Sequence, residues 1–79
     1  MSPTIHREKG YRFHFFSREE TRAHVHAISV DGEAKFWLVP EIELAKSQNL
    51  DAAQLRVVRK IMEEHYDEFK NAWERYFKG

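Results

Sequence analysis

The residues with the clearest chemical potential are His24 and His26, two histidines separated by one position in the run Ala23-His24-Val25-His26-Ala27. On an extended strand, side chains at i and i+2 leave the same face roughly 7 Å apart. That spacing suits two kinds of chemistry. The imidazoles could act as general base and general acid, with Arg22 or Lys35 stabilising charge on a phosphoryl group, the combination that metal-independent RNA cleavage requires. They could instead share a divalent metal if His14 or Glu33 supplied a third ligand. A plain binding face with two ordinary histidines beside Trp37 stays open as well. A bare His-x-His motif does not choose among these.

Trp37 is a second candidate, because a large aromatic on an outward strand face anchors partners or stacks on a nucleobase. Arg12 and His14 extend the same face if the strand that carries them pairs beside the second. The remaining residues of this kind have simpler readings. His6 sits in a charged stretch and offers nothing beyond solvation. His65 falls on a helical apolar stripe and reads as partly buried and hydrogen-bonded. Trp73, Tyr76 and Phe77 read as core, and Glu63, Glu64, Asp67 and Glu68 as a solvated helix face that could also attract a basic partner.

The elements that position these residues follow from hydrophobic period. Tyr11 to Phe15 alternates aromatic with basic, Ser17 to Thr21 reads as a charged loop, and Ala23 to Val30 is a second strand. Asp31-Gly32 is a two-residue hairpin signal whose residues take positive φ. Glu33 to Leu38 then returns as a third strand, ended by Pro40. The hairpin thus spans Arg22 to Leu38. A two-residue turn sets Val25 opposite Leu38, Ala27 opposite Phe36 and Ser29 opposite Ala34 on a buried face. Arg22, His24, His26, Ile28, Glu33, Lys35 and Trp37 share the outward one, with His26 opposite Trp37.

Ile42 to Ala45 reads as a short strand, and Asn49 suits a left-handed turn. Asp51 and Gln54 form a capping box at the start of a helix. Leu55, Val58, Ile61, Met62, Phe69, Ala72, Trp73 and Tyr76 continue its stripe. Unbroken from Ala52 to Phe77, this helix would run roughly 39 Å, longer than the ~30 Å diameter of a compact chain of this size. A kink or break near His65-Tyr66-Asp67 is therefore expected. The fold class is α+β: one domain over residues 1–79, with an antiparallel sheet of three or four strands covered on one face by the C-terminal helix.

Composition narrows the classes. The chain has 79 residues, and its 13 basic and 13 acidic side chains cancel, which argues against nucleic-acid binding by bulk charge but not by a local basic patch. With 14% aromatics and no net charge, association with a partner protein or a second copy is expected. The absence of cysteine rules out disulfides and thiolate metal sites. No apolar run has membrane-spanning length and the first residues lack a signal-peptide core, so a cytoplasmic protein without membrane contact and without a cofactor is expected.

Pro3-Thr4-Ile5, Gly10, His24-Val25-His26, the run Gly32-Glu33-Ala34-Lys35-Phe36-Trp37-Leu38, Glu43-Leu44-Ala45 and Trp73 together resemble the small bacterial proteins grouped as domain of unknown function 4160. The resemblance covers nearly the whole chain, and His-x-His followed by Gly-x-Ala-Lys is its most specific part. It implies the toxin half of a two-gene toxin–antitoxin module, of the DhiT type. Its partner would be a small cognate antitoxin protein, and its target would lie in translation or nucleic-acid metabolism. Ala23 stands where members often have proline, and Asn49 near where they often have glycine. The expected activity is cleavage of RNA, with His24 and His26 as acid and base and Arg22 and Lys35 holding phosphate. The alternative is a non-enzymatic binding module built on Trp37, His14 and Arg12.

Overall fold

The computed structural model describes residues 4–15 and 22–78; the charged loop expected over Ser17 to Thr21 lies outside them. Five strands form one antiparallel meander in sequence order: β1 (Thr4–Glu8), β2 (Tyr11–His14), β3 (His24–Ile28), β4 (Glu33–Trp37) and β5 (Glu43–Gln48). Two helices follow, α1 (Ala52–Glu64) and α2 (Tyr66–Lys78). The class is α+β, with five strands where sequence patterning indicated three or four.

The additional strand is β1, and its turn explains why it forms. Glu8 pairs with Tyr11 across the two-residue loop Lys9-Gly10, whose φ angles are 53° and 84°. Two successive positive φ values make a type I′ turn, whose twist matches that of a hairpin. β1 therefore sets His6 and Glu8 beside Phe13 and Tyr11, on the core face. His6 is consequently half-buried rather than solvated, with its ring 5.9 Å from Phe13 and 5.7 Å from Phe69.

The hairpin of β3 and β4 forms, but two residues out of the expected register. Val25 lies opposite Phe36, His26 opposite Lys35, and His24 opposite Trp37. The loop is Ser29 to Gly32, closed by a hydrogen bond from Ser29 N–H to the Gly32 carbonyl at 2.9 Å. Among the described residues, positive φ occurs at Lys9, Gly10 and Asn49, not at Asp31 or Gly32. Tertiary contacts override the local turn signal. Asp31 accepts a hydrogen bond from Gln54 Nε2 at 3.0 Å, tying the loop to α1. Gly32 presses against the end of β5, where an added Cβ would stand 2.1 Å from the Gln48 carbonyl oxygen. Because strand side chains alternate with period two, a two-residue slip preserves the face assignments while changing every partner.

The buried face carries Phe13, Val25, Ala27, Ala34, Phe36 and Leu38, packed against Val58, Ile61 and Met62 of α1 and Phe69 of α2. Phe13 and Phe69 meet at 5.2 Å. Burying each such large side chain contributes about 1.5–3 kcal/mol.

Asp51 and Gln54 form the expected reciprocal capping box, with bonds of 2.8 and 2.9 Å. Asn49 takes the left-handed conformation at φ 60°. The helical segment breaks at His65, which caps α1 through its N–H to the Ile61 carbonyl. Tyr66 anchors the new helix by donating its hydroxyl to the Leu38 carbonyl. Each 13-residue helix is about 20 Å long, short enough to lie within the sheet's span. No helix among the described residues is long and apolar enough to cross a membrane.

Candidate functional site

Strand pairing arranges the outer face of the sheet in rows. Arg7, Arg12, Ile28, Glu33 and Gln48 stand opposite one another across β1 to β5. The adjacent row is His14, His26, Lys35 and Lys46, across β2 to β5. The next joins His24, Trp37 and Glu43. Facing side chains are about 4.5–5.5 Å apart at Cβ, so the second row crosses the sheet over about 14 Å. Every member of it is cationic or becomes so on protonation.

Aligned like charges weaken a sheet. Lys35 stands directly opposite Lys46 in this way. The His26–Lys35–Lys46 end of the row opens onto a groove of about 290 Å³, completed by Glu33, Ala34, Ser47 and Gln48.

Burial within the row is uneven. His26 is half-exposed and Lys46 exposed, while Lys35 retains 9% and His14 2% of its surface. The His14 and His26 rings stack at 5.6 Å. Burial foremost, then the neighbouring His26 and Arg12, pushes the His14 pKa below 6.5. His14 thus remains neutral where an ordinary histidine would begin to protonate.

His24 is fully buried. Its Nδ1–H donates to the Arg22 carbonyl at 2.7 Å, since a carbonyl can only accept. Its ring packs against His26 at 5.3 Å, Trp37 at 5.7 Å and Trp73 of α2 at 5.0 Å. Trp37 is half-buried beneath two cations, with the Arg22 guanidinium carbon 4.4 Å and Lys35 Nζ 4.6 Å from its ring. Arg22 also donates to the Val39 carbonyl at 2.8 Å and to Glu43 at 3.1 Å.

The structure therefore brings most of the sequence candidates onto one face but divides them into two groups. Arg12, His14, His26 and Lys35 follow the rows that lead to the groove. His24, Arg22 and Trp37 form a second cluster, in which His24 is buried, Trp37 lies half-buried beneath Arg22 and Lys35, and the partly exposed Arg22 is bonded to Val39 and Glu43. The face called outward from the sequence is thus outward only in part. Among the described residues, His14, His24 and His26 do not converge as a three-ligand metal set.

Two cations of this face escaped sequence reading. Arg7 needed the β1 strand, whose only local signal was Lys9-Gly10. Lys46 needed β5 to extend to Gln48, whereas the apolar pattern ends at Ala45. A bulge between the Phe36 and Lys35 pairings turns Lys46 toward Lys35, and simple alternation along β5 does not foresee it.

Residues 10–74 match the model of the family described as Domain of unknown function (DUF4160), and the chain belongs to that family. Comparison with curated proteins and with solved structures gave no match.

Proposed function

We propose that this member of the domain of unknown function 4160 family is the toxin half of a bacterial toxin–antitoxin module and acts by binding RNA. The binding surface is the outer face of its sheet, and a small cognate antitoxin protein neutralises it. The toxin role rests on the motif resemblance of His24-Val25-His26 and Gly32-Glu33-Ala34-Lys35, since the family that the chain belongs to carries no function of its own. The observation that supports the target is the set of basic residues on this face, Lys35 and Lys46 beside His26 in one row and Arg7 and Arg12 in the next, with buried, neutral His14 contributing no charge. A chain with no net charge that gathers cations in register on one sheet face has a local patch for a phosphate backbone.

Growth of bacteria expressing the chain tests this reading. Inhibition should weaken with Arg12→Glu/Lys46→Glu and disappear when the small neighbouring gene is co-expressed. Full growth with the parent protein, or equal inhibition by the variant, would refute it.

RNA cleavage is the second reading, favoured by the 5.3 Å contact between the His24 and His26 rings. In this reading His24 and His26 are acid and base, and Arg22 and Lys35 hold the phosphate. The burial of His24 and the engagement of Arg22 count against it. Incubating purified protein with RNA separates the two readings: cleavage yields fragments that His26→Gln abolishes, and binding alone leaves the RNA intact.

A further inference from the structure

On the opposite face, where edge strand β1 meets the junction of α1 and α2, His6, Glu8 and His65 converge. One ligand atom from each lies within 4.8 Å of the others. Glu8 Oε1 is 2.9 Å from His6 Nε2 and 3.4 Å from His65 Nε2. The two rings are 4.3 Å apart, and all three residues are half-buried. The geometry points to a binding site for a divalent zinc-class ion, with His6 Nε2, Glu8 Oε1 and His65 Nε2 as its protein ligands.

The distances bear on this directly. Zinc bonds of about 2.0–2.1 Å in a tetrahedron separate ligand atoms by about 3.3–3.4 Å. The Glu8–His65 separation already equals that value, and the Glu8–His6 separation is about half an ångström short of it. Two imidazoles with one carboxylate form the borderline nitrogen–oxygen donor set that selects zinc-class ions over calcium or magnesium. Three protein ligands at a half-buried position leave a fourth for water.

The surroundings provide what a histidine ligand needs behind it. Glu68 Oε1 lies 2.7 Å from His65 Nδ1, so the carboxylate accepts a hydrogen bond from Nδ1–H and leaves Nε2 to face Glu8. This carboxylate–histidine arrangement is the usual support for a metal-bound imidazole. Phe13 and Phe69 flank His6, limiting its ring's freedom.

The elements also explain why the three residues meet. His6 and Glu8 are i and i+2 on one strand and share its core-facing side. His65 stands at the helix break, where the chain turns above the β1 edge. Sequence spacing hides the cluster, because 57 positions separate Glu8 from His65. A bound ion would join the N-terminal edge strand to the helix junction. It lies on the side of the sheet opposite the cationic row, so it is independent of the proposed RNA surface.

Titration calorimetry with zinc chloride on tag-free, chelator-treated protein at neutral pH tests the assignment. One ion per chain should bind with micromolar or tighter affinity, and the melting temperature should rise with zinc. His6→Ala and His65→Ala should each weaken binding at least 100-fold, and Glu68→Gln about 10–100-fold by loosening the His65 ring. His26→Ala, on the other face, should bind zinc like the parent. Circular dichroism of each variant separates lost ligands from lost fold, and Glu68→Gln keeps all three ligands if an alanine variant unfolds. Absence of binding up to millimolar zinc, or parent-like affinity in folded His6→Ala and His65→Ala, would overturn the site, and affinity unchanged in Glu68→Gln would overturn its support of the His65 ring.

Discussion

Replacing Gly32 with alanine tests the register on which the cationic row depends. An alanine Cβ there would stand 2.1 Å from the Gln48 carbonyl oxygen and 2.9 Å from Asn49 atoms. Two of these three neighbours are backbone atoms, so no rotamer change relieves the clash. Either the Ser29–Gly32 loop or the end of β5 must move, which disturbs the pairing of Glu33 with Gln48. Overpacking costs typically 1–3 kcal/mol, and a rigid backbone contact belongs at the upper end, at about 2–3 kcal/mol. In a domain of this size that lowers the melting temperature by about 10–20 °C.

Alanine alone does not discriminate, because a type I′ turn at Asp31-Gly32 would also disfavour it. Asparagine does. A positive φ tolerates asparagine, so the type I′ alternative predicts only a small loss for Gly32→Asn. The observed close approach predicts a loss at least as large as for alanine. Gly10 supplies the matching control: it has φ 84° with nothing within 4 Å of an added Cβ, so Gly10→Asn should be mild. Urea unfolding of the four proteins measures all of this. A Gly32→Asn variant within about 0.5 kcal/mol of the parent would refute the register, and with it the placement of Lys46 opposite Lys35.

Two further outcomes follow from groups described above. His14 has a folded-state pKa below its ordinary 6.5, so the unfolded chain takes up a proton that the folded chain resists. Its contribution to stability is complete above pH 6.5 and is lost as pH falls from there toward the lowered folded value; His14→Phe should therefore narrow the loss of urea midpoint between pH 7.5 and 5, and an unchanged loss would contradict this. Asp51→Ala removes the side-chain half of the capping box and should cost about 1 kcal/mol, a fall of about 4–8 °C in the circular dichroism melt.

What the sequence made legible was local. Asp51 and Gln54 announce their helix through a three-residue spacing, and Asn49 needs only its own backbone preference. The break at His65 follows from the length of the helix against the size of the chain. The two faces of the hairpin survived a register error because parity tolerates a slip of two. What stayed hidden depends on contacts between distant segments. Gly32 answers to Gln48 and Asn49 rather than to a turn type, and Asp31 is held by Gln54 of α1. His24 has the outward parity of an exposed residue but is buried partly under Trp73 of α2. His6 read as solvated because its strand depends on a Lys9-Gly10 turn that carries none of the usual asparagine or aspartate signal.

RNA affinity measured against salt tests the proposed surface most directly. Each phosphate neutralised on a single strand adds about 0.7 to the slope of log K against log salt. Three or four contacts along the face predict a slope of about −2 to −3 for the parent protein. Arg12→Glu/Lys46→Glu should reduce its magnitude by about 1.4 and weaken binding. Arg56→Glu/Lys60→Glu on the exposed surface of α1 changes net charge equally and should leave both values near the parent's. No measurable binding at 50 mM salt, or the same loss from both double variants, would contradict an RNA-binding face on this sheet.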